Sequence, residues 1–341
     1  MKILFLTHKF YPDIGGIEVN SEILAREFHK AGHDIKLITW TKNSGEKKFP
    51  FIIVRNPGIG TLLREHRWAD VVFENNPSLR LAWPSYFFNK PSVIALRTWI
   101  NRVNGKIGWQ DKLKALWLKK ASAVIAVSDA IRKKCWPSAI VIGNPYRNEL
   151  FRIVPGVEKT NDFVFLGRLV SDKGADIALR ALSKLIEISK KESEFSLTII
   201  GNGPELSTLK NMVITLNLQN NVQFKGSLTG KDLVNCLNSH NIILVPSIWE
   251  EPFGNVALEG MACGCIPIVS DRGGLTDAIG KAGLSFRSGD INSLVDCILK
   301  IINDSNLQNR LRNAAHDHLL EHHPDTVSKR YLSVIENVAS I

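Results

Sequence analysis

Long apolar runs are missing from this sequence. No window of the 341-residue chain approaches the roughly 18–20 consecutive apolar residues that span a bilayer, so a membrane-spanning helix is not expected. The opening MKILFLTH reaches Lys9 almost at once, with no small-residue cleavage pattern behind it, and reads as a first buried strand rather than a secretory leader. The expected location is the cytoplasm, with the inner face of the plasma membrane as the membrane surface within reach. Cysteine is scarce and odd in number. Cys135, Cys236, Cys263, Cys265 and Cys297 lie mostly in apolar surroundings with no histidine at metal-ligand spacing, so they read as core thiols and no metal site is expected. His316, His318, His322 and His323 crowd together, but their carboxylate neighbours suit a solvated helix end better than a metal cluster.

Acidic residues are thin in the first half. Up to Pro155 the chain has 25 Lys plus Arg against 12 Asp plus Glu, whereas the remainder has 18 against 21, so the basic character belongs to the first half. Such a field draws nucleic acid, anionic lipid or a phosphorylated substrate. No compact nucleic-acid recognition motif accompanies it, so nucleic acid is not an expected partner. The basic residues are interleaved with tryptophan in RTWINRVNGKIGWQDKLKALWLKKA, and seven of the eight tryptophans precede residue 140. A helix over 110–120 would line Leu113, Leu116 and Trp117 along one side with lysines flanking them. That pattern either packs inward or lies on an anionic membrane as a peripheral contact.

What is present is a repeated strand, loop and helix. In 242–274, IILVPSIWEEPFGNVALEGMACGCIPIVSDRGG, an apolar run is cut by Pro246-Ser247, passes an acidic loop, restarts as a helix near Gly254 and returns as a second strand. This is the unit of a parallel sheet with helical crossovers, whose ligands lie outside the carboxyl ends of the strands. Further strands are expected over 3–7, 34–41, 50–55, 69–74, 92–96, 123–127 and 139–142, and again over 163–166, 195–200, 222–224 and 284–286. Periodicity lapses over 148–161, which places a domain boundary there. The α/β chain should therefore hold domains over 1–155 and 156–323, with a helix in 324–341 crossing back to the first. Paired Gly15 and Gly16 follow the first strand without the third glycine of a dinucleotide fingerprint, which weakens a reading as an NAD site.

Chemistry concentrates in the second half. Gly167, Arg168 and Lys173 follow its first strand, placing two cations where an anionic leaving group could be neutralised. Gly201 and Gly203 offer backbone amides after the next strand. Ser247 and Glu251 follow the strand of the central segment, and seven residues separate Glu251 from Glu259, so the two carboxylates reach different hydroxyl-bearing parts of one extended ligand. Gly254 lets the helix begin close to that ligand, with free amides and the positive end of its dipole facing phosphate.

The run LVPSIWEEPFGNVALEGMACGCIPIVSDRGG, with FLGRLVSDKGADIAL and IIGNGPELSTL upstream, resembles the donor-binding domain of the retaining glycosyltransferases of the GT-B fold, family four, a group that includes lipopolysaccharide, capsule and phosphatidylinositol mannosyl transferases. The resemblance covers about 163–275 densely, and the first domain through the GGIE loop, AVIAVSDAIRKK and VIGNP. It implies two Rossmann-like domains facing a central cleft, with the acceptor on the first and a nucleoside diphosphate sugar on the second. Arg168 and Lys173 would bind the diphosphate, Glu251 the hydroxyls of the transferred sugar, and Glu259 the nucleotide ribose. Phe253, Gly254 and Asn255 would present amides to phosphate and sugar, and Gly15-Gly16 would close on the donor from the other domain. Catalytic roles fall to Arg168, Lys173 and Glu251, with no metal and no cofactor beyond the donor itself.

The implied reaction is metal-independent transfer of a hexose, with retention, to a glycan or lipid-linked hydroxyl in cell-envelope polysaccharide or lipopolysaccharide synthesis. The protein would act as a monomer or weak homodimer. One departure stands out: after SVIAL the family often carries a histidine that touches the sugar, and this chain has Arg97. Arg97, with Trp99 and Arg102, becomes an acceptor or sugar contact suited to an acidic sugar or phosphorylated acceptor. The alternatives are a catalytically inactive nucleotide-sugar-binding protein, which Arg97 favours, and a sugar-nucleotide epimerase. A phosphorylase-like enzyme would need a cofactor lysine and a much longer chain.

Overall fold

The computed structural model describes the chain except residues 14, 44, 101–107, 190–194 and 341 and the side chains of 109–111. The chain forms two units, one of residues 1–145 with 322–341, the other of residues 146–321. The residues expected at 146–155 thus go with the second unit, and the final helix Pro324–Ala339 with the first. Tyr331 of that helix is fully buried, its ring edge-on to Phe73 at 5.8 Å.

The first unit holds β1 (Lys2–Leu6), β2 (Asp34–Thr39), β3 (Ile52–Arg55), β4 (Val71–Asn75), β5 (Ser92–Leu96), β6 (Ala123–Ala126) and β7 (Ile140–Val141). The second holds β8 (Asn161–Leu166), β9 (Leu197–Ile200), β10 (Val222–Gly226), β11 (His240–Val245), β12 (Ile266–Ser270) and β13 (Leu284–Phe286). Every pairing is parallel, and the orders are β3-β2-β1-β4-β5-β6-β7 and β10-β9-β8-β11-β12-β13. Each sheet is flanked by helices, giving two Rossmann-like domains. Parallel sheets bury both faces, which is why β4, β5 and β12 are buried at every residue and are apolar except at their ends, Glu74-Asn75, Ser92 and Ser270.

Two helices differ from the expectation. The helix Ile59–Trp68 escaped it because its buried face is Leu62, Glu65 and His66, so polar residues stand where apolar periodicity is sought. The short helix Leu275–Ile279 follows directly on Gly273-Gly274, which reads as loop. Of the histidines near 320, His316 is exposed as expected of a solvated helix end, but His318 and His322 are not. His318 Nε2 lies 2.9 Å from the Ala278 carbonyl, and buried His322 has Nδ1 2.8 Å from the Asn144 carbonyl. All five cysteines are free thiols, with Cys263, Cys265 and Cys297 buried.

Lys159 ties the second unit together beneath its sheet. Its ammonium donates to the carbonyls of Asn238 (3.1 Å), His240 (2.6 Å) and Cys263 (3.3 Å), where the helices Gly230–Asn238 and Asn255–Ala262 end. A cation at two helix carboxyl ends is favoured by both dipoles, although burial pulls its pKa down. Lys159→Met leaves three acceptors without their donor and is expected to cost about 2 kcal/mol, read as a lower urea midpoint with an unchanged slope.

Candidate active site

In the second sheet the chain order reverses between β8 and β11, and the loops after β8, β9, β11 and β12 all leave the same edge. Gly174 has φ +73°, and a Cβ there would stand 2.0 Å from the Pro246 carbonyl oxygen, so the turn Ser171–Lys173 can lie directly against Pro246-Ser247. The amides of Ile248 and Trp249 donate to the Asp172 carbonyl at 2.9 and 3.2 Å, closing that contact. Lys173 therefore meets Glu251 side chain to side chain, its ammonium donating to Oε1, with both groups mostly buried. The Ser247 hydroxyl lies 3.1 Å from both Glu251 Oε1 and the Asp172 carbonyl, and the Lys173 ammonium is 5.1 Å from the centre of the Trp249 ring. The Gly274 amide fixes the Glu251 backbone by donating to its carbonyl at 2.7 Å.

Gly254 caps the helix Asn255–Ala262 at φ +114°, and a Cβ would meet Leu275 Cδ2 at 2.4 Å, so a side chain there is both strained and obstructed. Phe253 is buried, and Asn255 is the first residue of the helix. One turn on, Glu259 faces Arg147, whose guanidinium lies 3.4 Å from Oε1 and 4.9 Å from the Phe151 ring centre. Burial pushes the Glu259 carboxyl up to about 7 against the pull of Arg147. The glycine loops are held backbone to backbone: Gly167 N donates to the Ile200 carbonyl at 3.0 Å, Gly201 N to Gly226 at 2.8 Å, and Leu169 N to Asn202, beside Gly203, at 2.9 Å. Arg168 is exposed and takes part in no ion pair among the described residues. Lys173, Ser247 and Glu251 are thus brought together and Arg168 is not joined to them. Arg147 and Trp249 went unread in the sequence: Arg147 stands apart from the candidate clusters, and Trp249, although between Ser247 and Glu251, carries no charge to mark it.

The first sheet reverses its order between β1 and β4. A pocket of about 520 Å³ opens there, lined by His8 and Lys9 after β1 and by Asn75 and Asn76 after β4. Gly15 and Gly16 start the helix Gly16–Lys30. Arg97 does not reach the pocket lining. It is buried, with Nε donating to Asn75 Oδ1 at 2.6 Å and one terminal nitrogen to Asn144 Oδ1 at 2.7 Å, while its guanidinium lies 5.1 Å from the Tyr331 ring centre. Its backbone amide donates to Asn76 Oδ1 at 3.2 Å. Arg97 braces the pocket wall from behind. Trp99 is half-buried with the Lys134 ammonium 5.2 Å from its ring centre, and Arg102 lies outside the described residues.

Glu74, unread in the sequence, is fully buried at the end of β4. Its carboxylate accepts from Ser78 N at 2.8 Å and from Trp117 Nε1 at 2.7 Å. Trp117 and Leu118 therefore face inward, while Leu113 and Leu116 of the same helix, Trp109–Lys120, stay exposed. The stripe expected along one side is split between core and surface. Among the described residues no three His, Cys, Asp or Glu side chains stand where they could hold a metal ion, and no helix is long and apolar enough to cross a membrane.

The model of the family "Glycosyl transferases group 1" matches residues 147–318. An uncharacterized glycosyltransferase of Methanocaldococcus jannaschii is 27% identical over 338 aligned residues, covering 91% of each chain. A second from the same organism is 35% identical over 130 residues, a stretch of 38% of this chain and 32% of that protein. Among solved structures, Anabaena HepE in complex with UDP superposes with a TM-score of 0.83 over 99% of this chain and 100% of that one, at 20% identity. That likeness gives the GT-B fold.

Proposed function

Since the chain belongs to the glycosyl transferases group 1 family, we propose that it transfers a hexose from a nucleoside diphosphate sugar, with retention, to the hydroxyl of a glycan or lipid-linked acceptor in cell-envelope polysaccharide or lipopolysaccharide synthesis. The observation that carries this reading is the meeting of Lys173, Ser247 and Glu251 at the switch point of the second sheet, next to the helix that Gly254 opens. Lys173 and Arg168 neutralise the departing diphosphate, and the start of the helix Asn255–Ala262 adds the positive end of a helix dipole. Glu251 holds hydroxyls of the transferred sugar, and Glu259, beside Arg147, holds the ribose. The bond from the anomeric carbon to the phosphate oxygen breaks, the acceptor oxygen bonds to that carbon on the same face, and the acceptor proton passes to the leaving phosphate. The charges needed are supplied by side chains and amides, without a metal.

Support for a membrane-borne acceptor comes from the first unit. Tyr86 and Phe87 are 62% and 71% exposed, Leu113 and Leu116 are 43% and 56% exposed, and Lys112, Lys119 and Lys120 stand among them on the surface. An apolar surface ringed by lysines suits peripheral contact with an anionic bilayer.

Screening uridine, guanosine and adenosine diphosphate sugars for protection against thermal unfolding tests the donor site. At a concentration about 100-fold above Kd the true donor is expected to add about 2.7 kcal/mol, and a response to none of them would overturn the reading. HepE binds UDP, so uridine donors come first. Product analysis with and without an acceptor separates a transferase from an epimerase.

A further inference from the structure

The pocket at the switch point of the first sheet carries three cations in its lining: Lys9, Arg80 and Lys114. None of them pairs with a carboxylate among the described residues, although Glu18 shares the lining. Several basic residues elsewhere in this unit are paired with a carboxylate. Lys36 lies 2.6 Å from Glu65, Arg26 is 2.8 Å from Glu22, and Lys133 is 2.6 Å from Asp129. The unpaired cations stand around a cavity whose volume suits a small ligand. Its floor is a rigid polar surface. Asn76 is held at φ +84°, its Oδ1 taking the Arg97 amide, while Asn75 accepts from the Arg97 side chain and donates to the Ser21 hydroxyl at 2.6 Å. Leu113 adds an apolar edge that continues onto the exposed helix surface.

We propose that this pocket binds the phosphate group of a phosphorylated acceptor, with Lys9, Arg80 and Lys114 as its ligands and the Asn75–Asn76 wall beneath the ester's hydroxyl-bearing part. The term acceptor rests on the glycosyltransferase reading; the anion seat rests on the pocket alone. The shared chemistry is a phosphate ester of a polyol, free or as a lipid headgroup. Arginine and lysine supply charge-assisted hydrogen bonds to phosphate oxygens, and removing each is expected to weaken binding by about three- to tenfold at this degree of exposure.

The test uses the full chain and four probes: glycerol 3-phosphate, glycerol, and vesicles of phosphatidylglycerol or of phosphatidylcholine, with UDP binding followed in parallel by calorimetry. Glycerol 3-phosphate is expected to bind at least tenfold tighter than glycerol. The Lys9→Gln/Arg80→Gln/Lys114→Gln variant should weaken it about thirtyfold, and Arg168→Gln/Lys173→Gln should leave it unchanged. A lipid source adds capture by phosphatidylglycerol vesicles, but not phosphatidylcholine vesicles, that the triple variant loses; a soluble source leaves vesicle binding insensitive to the triple variant. Undiminished glycerol 3-phosphate affinity in the triple variant, or its loss in Arg168→Gln/Lys173→Gln, overturns the proposal. Should the triple variant fail to fold, Lys9→Gln and Arg80→Gln, both at exposed positions, each carry the same test. Failure of the wild type to bind any nucleotide sugar would count against the donor reading and leave the pocket's result standing.

Discussion

Glu251→Ala is expected to lower kcat/KM for sugar transfer by about a thousandfold while leaving the protein folded. The carboxylate sits at the meeting of two loops, taking the Lys173 ammonium and lying 3.1 Å from the Ser247 hydroxyl. Its backbone is held independently by the Gly274 amide at 2.7 Å, so truncation at Cβ leaves the loop in place. Loss of the mostly buried pair leaves Lys173 without its carboxylate and should cost about 3 kcal/mol of stability, with the face of Trp249 offsetting part of the loss. The catalytic loss is larger. In the proposed reaction the sugar gains positive character, so hydrogen bonds from its hydroxyls to a carboxylate strengthen in the transition state; two charge-assisted bonds are together worth about 4 kcal/mol, or about three decades of rate. The loss should fall mainly on kcat, with UDP affinity changed less than threefold, since UDP carries no transferred sugar. Full retention of transfer activity in a folded Glu251→Ala protein would sink the assignment of this residue.

The meeting of Lys173, Ser247 and Glu251 was legible because its parts are short-range. Lys173 and Gly174, and Ser247, Glu251 and Gly254, lie in loops directly after strands, with Asn255 opening the next helix, so strand order alone brings them to one edge. The first unit's chemistry was harder to read. Glu74 stands at the end of an apolar run and looks like a strand terminus; only the packing of Trp117, distant in sequence, shows that it is a buried carboxyl. Arg97 drew notice as a departure from a familiar pattern and was expected to meet sugar or acceptor. The sequence holds no sign that two asparagine amides, Asn75 and Asn144, would take it into the interior. Lys9, Arg80 and Lys114 are scattered through a generally basic half, and what sets them apart is that they line one cavity, a property of three-dimensional neighbours.

Raising the pH from 5 to 8 is expected to cost the first unit about 3 kcal/mol of stability through Glu74, and Glu74→Gln should remove that dependence. The carboxyl is fully buried, and its partners are the Ser78 amide and the Trp117 indole, both neutral; no cation pairs with it among the described residues. Burial pushes it from the ordinary 4.5 up to about 7, with the two hydrogen bonds opposing only part of that rise. The direction follows from proton linkage. Between 4.5 and 7 the folded state holds a proton that the unfolded chain has released, so stability is greatest below 4.5, declines as pH rises through this window and has lost the whole contribution above 7. The gap corresponds to about 3 kcal/mol. Glutamine is uncharged at every pH and keeps one carbonyl acceptor, but its amide faces the second N–H donor, so the variant should be about 1 kcal/mol weaker at pH 5 and stronger than the wild type at pH 8. The decisive quantity is the difference between the two pH values, measured by denaturant unfolding with Trp117 among the fluorescent reporters. Glu259 in the second unit, also raised to about 7, contributes a dependence of the same sign that Glu74→Gln leaves untouched. An unchanged difference between pH 5 and 8 in Glu74→Gln would show that the buried carboxyl does not carry the proton. The expected result makes the end of β4, and with it the Asn75–Asn76 wall of the pocket, most firmly held on the acid side of neutrality.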